Sequence, residues 1–113
     1  MAMTEASDTN QAVIERLFQR GCLQLSVKSP FTYASGLKGP IYCDNRRLLS
    51  FPDDRQIILR AFVELFRKQG WEDCCVAGMA TAGIPHATLI ADRLEAPLIY
   101  VRSKPKGHGK GNQ

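Results

Sequence analysis

The 113-residue sequence contains no long hydrophobic segment and no apolar stretch near its start. None of its apolar runs approaches the ~20 residues that a membrane-spanning helix needs. Residues 1–10 are polar and include two acidic side chains, which is unlike the apolar core of a secretory signal. We therefore expect neither a membrane protein nor a secreted one, and the cytoplasm is the expected compartment. The length suffices for one small domain.

The sequence also lacks the residue spacings of a metal site or a disulfide framework. None of the four cysteines forms a C-x-x-C pair, and the two histidines have no cluster of other ligands nearby. Two of the cysteines are adjacent, and adjacent side chains on a strand point to opposite faces. We expect no metal-ligating residues, and reduced thiols in or near the core. The residues concerned are Cys22, Cys43, Cys74, Cys75, His86 and His108.

Acidic residues are missing from the end of the chain. All eleven of them precede Arg102, whereas four of the fifteen basic residues follow Val101, and the net charge is +4. A neutral body with a basic terminal segment favours an anionic partner, either a phosphate ester or a nucleic acid. The segment has no aromatic residues for stacking on single-stranded bases, so nucleic acid is the disfavoured choice.

The first half of the chain predicts two helices around a group of short strands. Residues 1–8 are expected to form a flexible tail, followed by a helix over Thr9–Arg20 that ends at Gly21. A wide apolar face and an acidic first turn predict a second helix over Asp53–Gln69. Between them, turn residues 35–40 predict a hairpin-like arrangement. Its strands are Leu23–Leu25, Phe31–Tyr33 and Ile41–Cys43.

The remaining sequence predicts a strand–helix–strand unit. A continuous apolar run at Cys74–Ala77 indicates a strand that is covered on both faces. A loop of small residues over 78–83 leads to a helix over Pro85–Leu94 and then to a strand over Leu98–Val101, parallel to the first. We predict an α/β fold with an amino-terminal helix and an antiparallel segment. Two parallel strands cannot bury both faces of a sheet, so residues 9–113 are expected to be part of a larger domain.

Two segments could bind an anion. The loop over 78–83 joins a strand to a helix start, where backbone N–H groups commonly bind phosphate, and Thr81 could add a hydroxyl. The same composition also suits an ordinary capped turn. The segment over 102–111 alternates cations with Gly and Pro, so it could close over a polyphosphate or be a disordered basic tail. Composition does not distinguish these alternatives.

Three stretches of the sequence resemble three motifs of one protein family, and they follow in the same order along the chain. Residues 31–46, FTYASGLKGPIYCDNR, resemble the F-T-x-x-S-G-x-K-x-P-I-Y-x-D-x-R signature of orotate phosphoribosyltransferases, which are type I phosphoribosyltransferases. Residues 78–87, GMATAGIPHA, are similar to that family's pyrophosphate loop. Residues 100–113, YVRSKPKGHGKGNQ, are similar to its catalytic loop and keep the R-x-x-x-K-x-H order.

The resemblance implies a phosphoribosyltransferase-type parallel sheet and a reaction of pyrimidine (UMP) biosynthesis. Orotate would displace pyrophosphate from phosphoribosyl pyrophosphate, with Mg²⁺ on the diphosphate, to give orotidine 5′-monophosphate. By similarity, Arg102, Lys106 and His108 would bind the pyrophosphate group, and Lys106 would neutralise its developing charge. The resemblance also implies a homodimer in which this loop reaches the site of the partner subunit.

Further site residues follow from the other two stretches. By resemblance, Thr81 and Ala82 would cradle the pyrophosphate, and the strand around Tyr42 and Cys43 would face orotate. Many relatives have lysine where this chain has Ala34, so that contact is absent or has moved, with Lys38 as the candidate.

Other departures are Ser103 in place of a second loop cation and Thr81-Ala82 in place of the Tyr-Lys of some relatives. They leave the resemblance intact.

The family's motif for the ribose 5-phosphate would follow residue 113. We therefore expect an amino-terminal portion, cut after the catalytic loop, that shows no measurable orotate turnover by itself. A non-catalytic relative that senses the same ligands is the alternative.

Overall fold

The computed structural model describes residues 2–104, with side chains described from Asp8 onward. The chain divides into two compact units, residues 1–58 and 59–113. The helices are α1 (Ala2–Gln19), a 3₁₀ helix (Asn45–Ser50), α2 (Pro52–Lys68) and α3 (Gly83–Leu94). The strands are β1 (Leu23–Leu25), β2 (Phe31–Thr32), β3 (Lys38–Gly39), β4 (Ile41–Cys43), β5 (Val76–Met79) and β6 (Leu98–Val101). Over residues 2–104, none of the helices is long and apolar enough to cross a membrane.

Helix α1 begins earlier than predicted, at Ala2 rather than Thr9. The preceding residues include Ala, Met and Glu, which favour helix, so the capping residues at 8 and 9 do not stop it. It ends at Gln19, one residue before the predicted end, and Gly21 terminates it as predicted. Gly21 has φ 71°, and the amide of Cys22 donates to Leu17 O at 2.8 Å, which closes the last turn.

The first unit has a small apolar core and a buried ion cluster. Cys22, Leu48 and Ile58 are buried, with one face of α1 packed against them through Val13 and Leu17. Asp54 is only 2% exposed. Its carboxylate contacts Arg16 Nε at 3.4 Å and Arg20 Nε at 2.5 Å, and Arg20 also lies over the Phe51 ring. Two guanidinium partners compensate the cost of burying this carboxylate.

The antiparallel segment of the first unit consists of two strand pairs. Strand β1 pairs with β4, with Gln24 opposite Tyr42, and β2 pairs with β3, with Thr32 opposite Lys38. The predicted bounds of β1 and β4 are confirmed. The predicted turn over 35–40 was too long, because the chain completes its reversal by Leu37, whose carbonyl accepts from Tyr33 N at 2.8 Å.

The second unit contains the predicted parallel pair, β5 and β6, with Val76 opposite Leu98. Strand β6 has the predicted bounds, whereas β5 occupies Val76–Met79 rather than Cys74–Ala77. The prediction that the strand is covered on both faces was wrong for the described part of the chain. Val76 and Gly78 are buried, but Ala77 and Met79 are exposed.

The core of the second unit lies between β5 and the apolar faces of α2 and α3. Its buried residues are Leu59, Val63, Val76, Ala87, Ile90 and Ala91.

Gly78 allows α3 to pack closely on β5. A Cβ atom at this position would lie 2.9 Å from Ala87 Cβ and 3.1 Å from Ile84 Cα. Real side chains do not tolerate the first distance, so the helix would have to move away from the strand. The glycine therefore determines how closely the start of α3 approaches the end of β5.

We expect Gly78→Ala to lower the free energy of unfolding by about 1–3 kcal/mol, as overpacking commonly does. Gly83→Ala is the matched control, because its Cβ would meet Met79 Cβ at an ordinary 3.5 Å. Urea denaturation followed by circular dichroism measures both changes. Equal destabilisation by the two substitutions would contradict the close-approach explanation.

Candidate functional site

Strands β5 and β6 end side by side, which brings two predicted site segments to one edge of the sheet. Met79 is paired with Val101, and the amide of Ala80 donates to Val101 O at 2.8 Å. The loop that leads to α3 starts at this edge, and so does the basic segment that begins with Arg102. The carboxyl edge of a parallel sheet is the usual ligand-binding edge of α/β folds.

The loop between β5 and α3 presents backbone groups without a side-chain cap. Ala82 is the N-cap residue of α3 and makes no side-chain capping hydrogen bond. Thr81 is exposed, and its carbonyl accepts from Ile84 N at 3.2 Å. The peptide between Ala80 and Thr81 is cis. Since the N-cap residue offers no side-chain acceptor, the helix start keeps the partial positive charge of its amides.

Only part of the basic segment lies among the described residues. Arg102, Ser103 and Lys104 directly follow β6 and are exposed. Lys106 and His108, the other predicted pyrophosphate ligands, lie outside the described residues. The structure thus brings Thr81, Ala82 and the start of the basic segment to one edge.

The predicted orotate-facing residues, Tyr42 and Cys43, and the candidate substitute cation Lys38 belong to the first unit, and all three are exposed. Lys38 lies on β3, and Tyr42 and Cys43 lie on β4. The Tyr42 ring is 42% exposed and packs against Phe31, with ring centroids 5.6 Å apart. The strand therefore presents a partly exposed aromatic residue, and Lys38 is exposed on β3, which precedes it in the chain.

An ion pair that the sequence analysis did not predict follows β4 directly. Arg46 Nε donates to Asp44 Oδ1 at 2.8 Å, and Arg46 Nη2 donates to Asp44 Oδ2 at 2.9 Å. The backbone amide of Arg46 also donates to Asp44 Oδ1, so Asp44 caps the 3₁₀ helix. The side-chain hydrogen bonds from Arg46 hold the pKa of the Asp44 carboxyl below its ordinary value. The D-x-R spacing in the recognised signature was the available signal for this pair.

The described cysteines are all free thiols, as predicted. Their burial differs from the prediction, because Cys43 and Cys75 are exposed while Cys22 is fully buried. Burial raises the pKa of the Cys22 thiol, and the neighbouring Cys43 raises it further, so this thiol stays protonated. Cys43 Sγ lies 3.1 Å from Asn45 Oδ1.

We expect Arg46→Gln to raise the pKa of Asp44, because the first cause of its lowering is the hydrogen bond from this guanidinium. The stability that the charged pair contributes is complete above the ordinary aspartate pKa of about 3.9. It is lost as the pH falls through the lowered value of the folded state. A carboxyl-detected NMR titration measures the shift.

Arg47→Gln is the control for this experiment, because Arg47 has the smallest effect of the residues that lower the Asp44 pKa. Equal shifts in the two variants would show that general charge, rather than the paired geometry, sets the pKa.

The chain is similar to known phosphoribosyltransferases in both sequence and structure. No protein-family model matches it. It is 49% identical over 104 residues to an orotate phosphoribosyltransferase from Oceanobacillus iheyensis, which covers 92% of this chain and 52% of the relative. The crystal structure of orotate phosphoribosyltransferase from Aeropyrum pernix superposes with a TM-score of 0.70 at 34% identity, covering 88% of this chain and 54% of that one.

A more distant structure supports the fold alone. The adenine phosphoribosyltransferase from Trypanosoma brucei superposes with a TM-score of 0.61 and is 16% identical in sequence. The superposition covers 87% of this chain and 39% of the Trypanosoma brucei chain. The chain spans about half the length of the curated relatives it matches. Those relatives carry the name of the transferase, and nothing among them favours a regulator. The predicted phosphoribosyltransferase-type fold and the predicted resemblance are both confirmed: this chain is homologous to the orotate phosphoribosyltransferases.

Proposed function

We propose that this chain supplies the diphosphate-binding edge and the orotate-facing strand of an orotate phosphoribosyltransferase. In the proposed reaction N1 of orotate forms a bond to C1 of phosphoribosyl pyrophosphate, while the bond from C1 to the pyrophosphate oxygen breaks. The products are orotidine 5′-monophosphate and pyrophosphate, a step of pyrimidine biosynthesis. One observation carries the proposal. The start of α3, which has no side-chain cap, and the first residues of the basic segment lie at the same edge of the sheet.

The chemistry of the leaving group explains why both features are needed. As the bond to C1 breaks, negative charge grows on the diphosphate and positive charge grows on the ribose ring. Backbone amides at Thr81, Ala82 and the first turn of α3 offer fixed donors that need no reorganisation. Arg102 and Lys106 supply full positive charges, and His108 adds a further donor.

The proposed orotate-binding surface of the first unit uses a different kind of contact. Orotate is a planar ring that carries a carboxylate. The exposed ring of Tyr42 offers an aromatic surface for such a plane. The exposed ammonium of Lys38 offers a cation for the carboxylate, in place of the lysine that Ala34 replaces. Cys43, the next residue of β4, has its side chain on the opposite face of the strand, so it would contribute its backbone to this surface.

We assign Mg²⁺ to the substrate rather than to protein ligands. This ion prefers oxygen ligands and commonly binds through the phosphates of a substrate. Within the part of the chain that the structure describes, no group of three His, Cys, Asp or Glu side chains could hold a metal ion. The proposal therefore has Mg²⁺ enter on the diphosphate and leave with pyrophosphate.

The proposal extends to assembly and location. A homodimer would let the basic segment of one subunit close over the diphosphate that its partner holds, and the cytoplasm would be the compartment. The homodimer and the cytoplasmic location are both implied by the resemblance. Sedimentation analysis of the purified chain tests whether it forms a dimer.

We expect Lys106→Ala to weaken the binding of Mg-pyrophosphate to the purified chain. Losing one well-placed charged donor costs about 3 kcal/mol, which corresponds to roughly a hundred-fold rise in Kd. Isothermal titration calorimetry measures the change, and NMR shows whether the amides of residues 80–84 respond to the ligand.

Lys68→Ala is the matched control, since it removes the same charge from the exposed last turn of α2. Pyrophosphate binding that both substitutions weaken equally would indicate general attraction to a basic protein. An unmodified chain whose loop amides do not respond to pyrophosphate would contradict the proposed site itself.

A further inference from the structure

We infer that Tyr33 is a positioning residue that holds β4 in the conformation in which the Tyr42 side chain faces the ligand. The inference rests on the proposed function only for the identity of that ligand, orotate. Tyr33 occupies one of the unspecified positions of the F-T-x-x-S-G signature, so the resemblance assigns it no role. Its role follows from three contacts within the first unit.

The first contact is a hydrogen bond from the side chain of Tyr33 to the backbone of β4. The hydroxyl of Tyr33 donates to the carbonyl of Ile41, which directly precedes Tyr42. This bond joins the β2–β3 hairpin to the strand that follows it. Because the acceptor is a backbone group, the bond constrains the path of β4 rather than one of its side chains.

The second contact is the packing of the Tyr33 ring on Gly39. A Cβ atom on Gly39 would lie 2.9 Å from Tyr33 Cε2 and 3.0 Å from Tyr33 Cζ. The ring therefore lies directly against the glycine backbone, where a side chain would displace it. Gly39 lies two residues before Ile41, so the ring contacts the chain on the way into β4.

The third contact involves the aromatic residue two positions earlier. Phe31, on β2, packs on the ring of Tyr42, with ring centroids 5.6 Å apart. Phe31 thus contacts the side chain of Tyr42 while Tyr33 holds the backbone next to it. On its other edge, β4 pairs with β1, where Gln24 lies opposite Tyr42.

The turn that carries Tyr33 is itself hydrogen bonded. Tyr33 N donates to Leu37 O at 2.8 Å, and Gly36 N donates to Tyr33 O at 2.9 Å. These bonds fix the backbone of Tyr33. The hydrogen bond from its hydroxyl therefore also restrains the backbone of Ile41. Loss of the hydroxyl should loosen β4 and weaken orotate binding, and it should leave the diphosphate edge of the second unit unchanged.

The test compares the 113-residue chain with its Tyr33→Phe variant, which keeps the ring and removes only the hydroxyl. Hydrogen exchange without ligand is expected to be about five-fold faster at the amides of Tyr42 and Cys43, the factor that one net hydrogen bond is worth. Exchange within α3 is the internal control and should not change. In NMR titrations, the Kd for orotate should rise by about the same factor while that for Mg-pyrophosphate stays constant.

A second pair of variants tests the ring contact. Gly39→Ala should weaken orotate binding because its new methyl group displaces the Tyr33 ring. Adding this substitution to Tyr33→Ala should have little further effect, because the ring that it would displace is already absent. If the two substitutions raise the Kd for orotate independently and additively, the inferred contact between the Tyr33 ring and Gly39 is overturned.

The results separate this inference from the proposed function. Unchanged exchange at Tyr42 and Cys43 in Tyr33→Phe would overturn the positioning role, and so would equal losses of orotate and pyrophosphate affinity. If orotate leaves these amides unperturbed in the unmodified chain, the proposed ligand of β4 is wrong. The exchange rates then still decide whether Tyr33 holds the strand.

Discussion

The contact between Gly78 and α3 is the constraint on which the candidate site depends. Because Gly78 has no side chain, Ala87 and Ile84 pack directly against β5. This close approach buries one face of α3 and sets the start of the helix beside the end of the strand. A helix held one side chain further out would carry its first-turn amides away from the edge where β6 ends. The anion site proposed here is therefore a consequence of core packing as much as of loop composition.

A glycine also allows a close contact in the first unit. Gly39 lies against the Tyr33 ring as Gly78 lies against Ala87, and in each case an absent Cβ lets a neighbouring element reach a functional segment. Gly78 sets the position of the start of α3. Gly39 leaves room for the Tyr33 ring, whose hydroxyl holds β4. The two proposed binding surfaces thus rest on backbone contacts, whereas the described residues that would touch the ligands are exposed.

The sequence predicted most elements, and the differences have local physical causes. Strands β1, β4 and β6 have their predicted bounds, because apolar and turn residues delimit them closely. Strand β5 begins two residues later than predicted, since Cys74 and Cys75 extend the apolar run but have no partners in the register that pairs Val76 with Leu98. The pair of Asp44 with Arg46 forms where Asp44 caps the 3₁₀ helix after β4, an element that the hydrophobic pattern did not predict. The resemblance supplied the site residues that composition could not.

The charge distribution of the proposed site follows from its departures from the family pattern. Where some relatives have Tyr-Lys, this chain has Thr81-Ala82, so the loop before α3 contributes dipoles and no full charge. The chain's excess cations all lie in the segment after Val101, which is the source of positive charge that we propose for the diphosphate. In the proposed reaction, amide dipoles would contact the diphosphate before and after bond cleavage, whereas full charges would contribute most as negative charge develops on the leaving group. Dividing the two tasks in this way would let transition-state stabilisation exceed product binding.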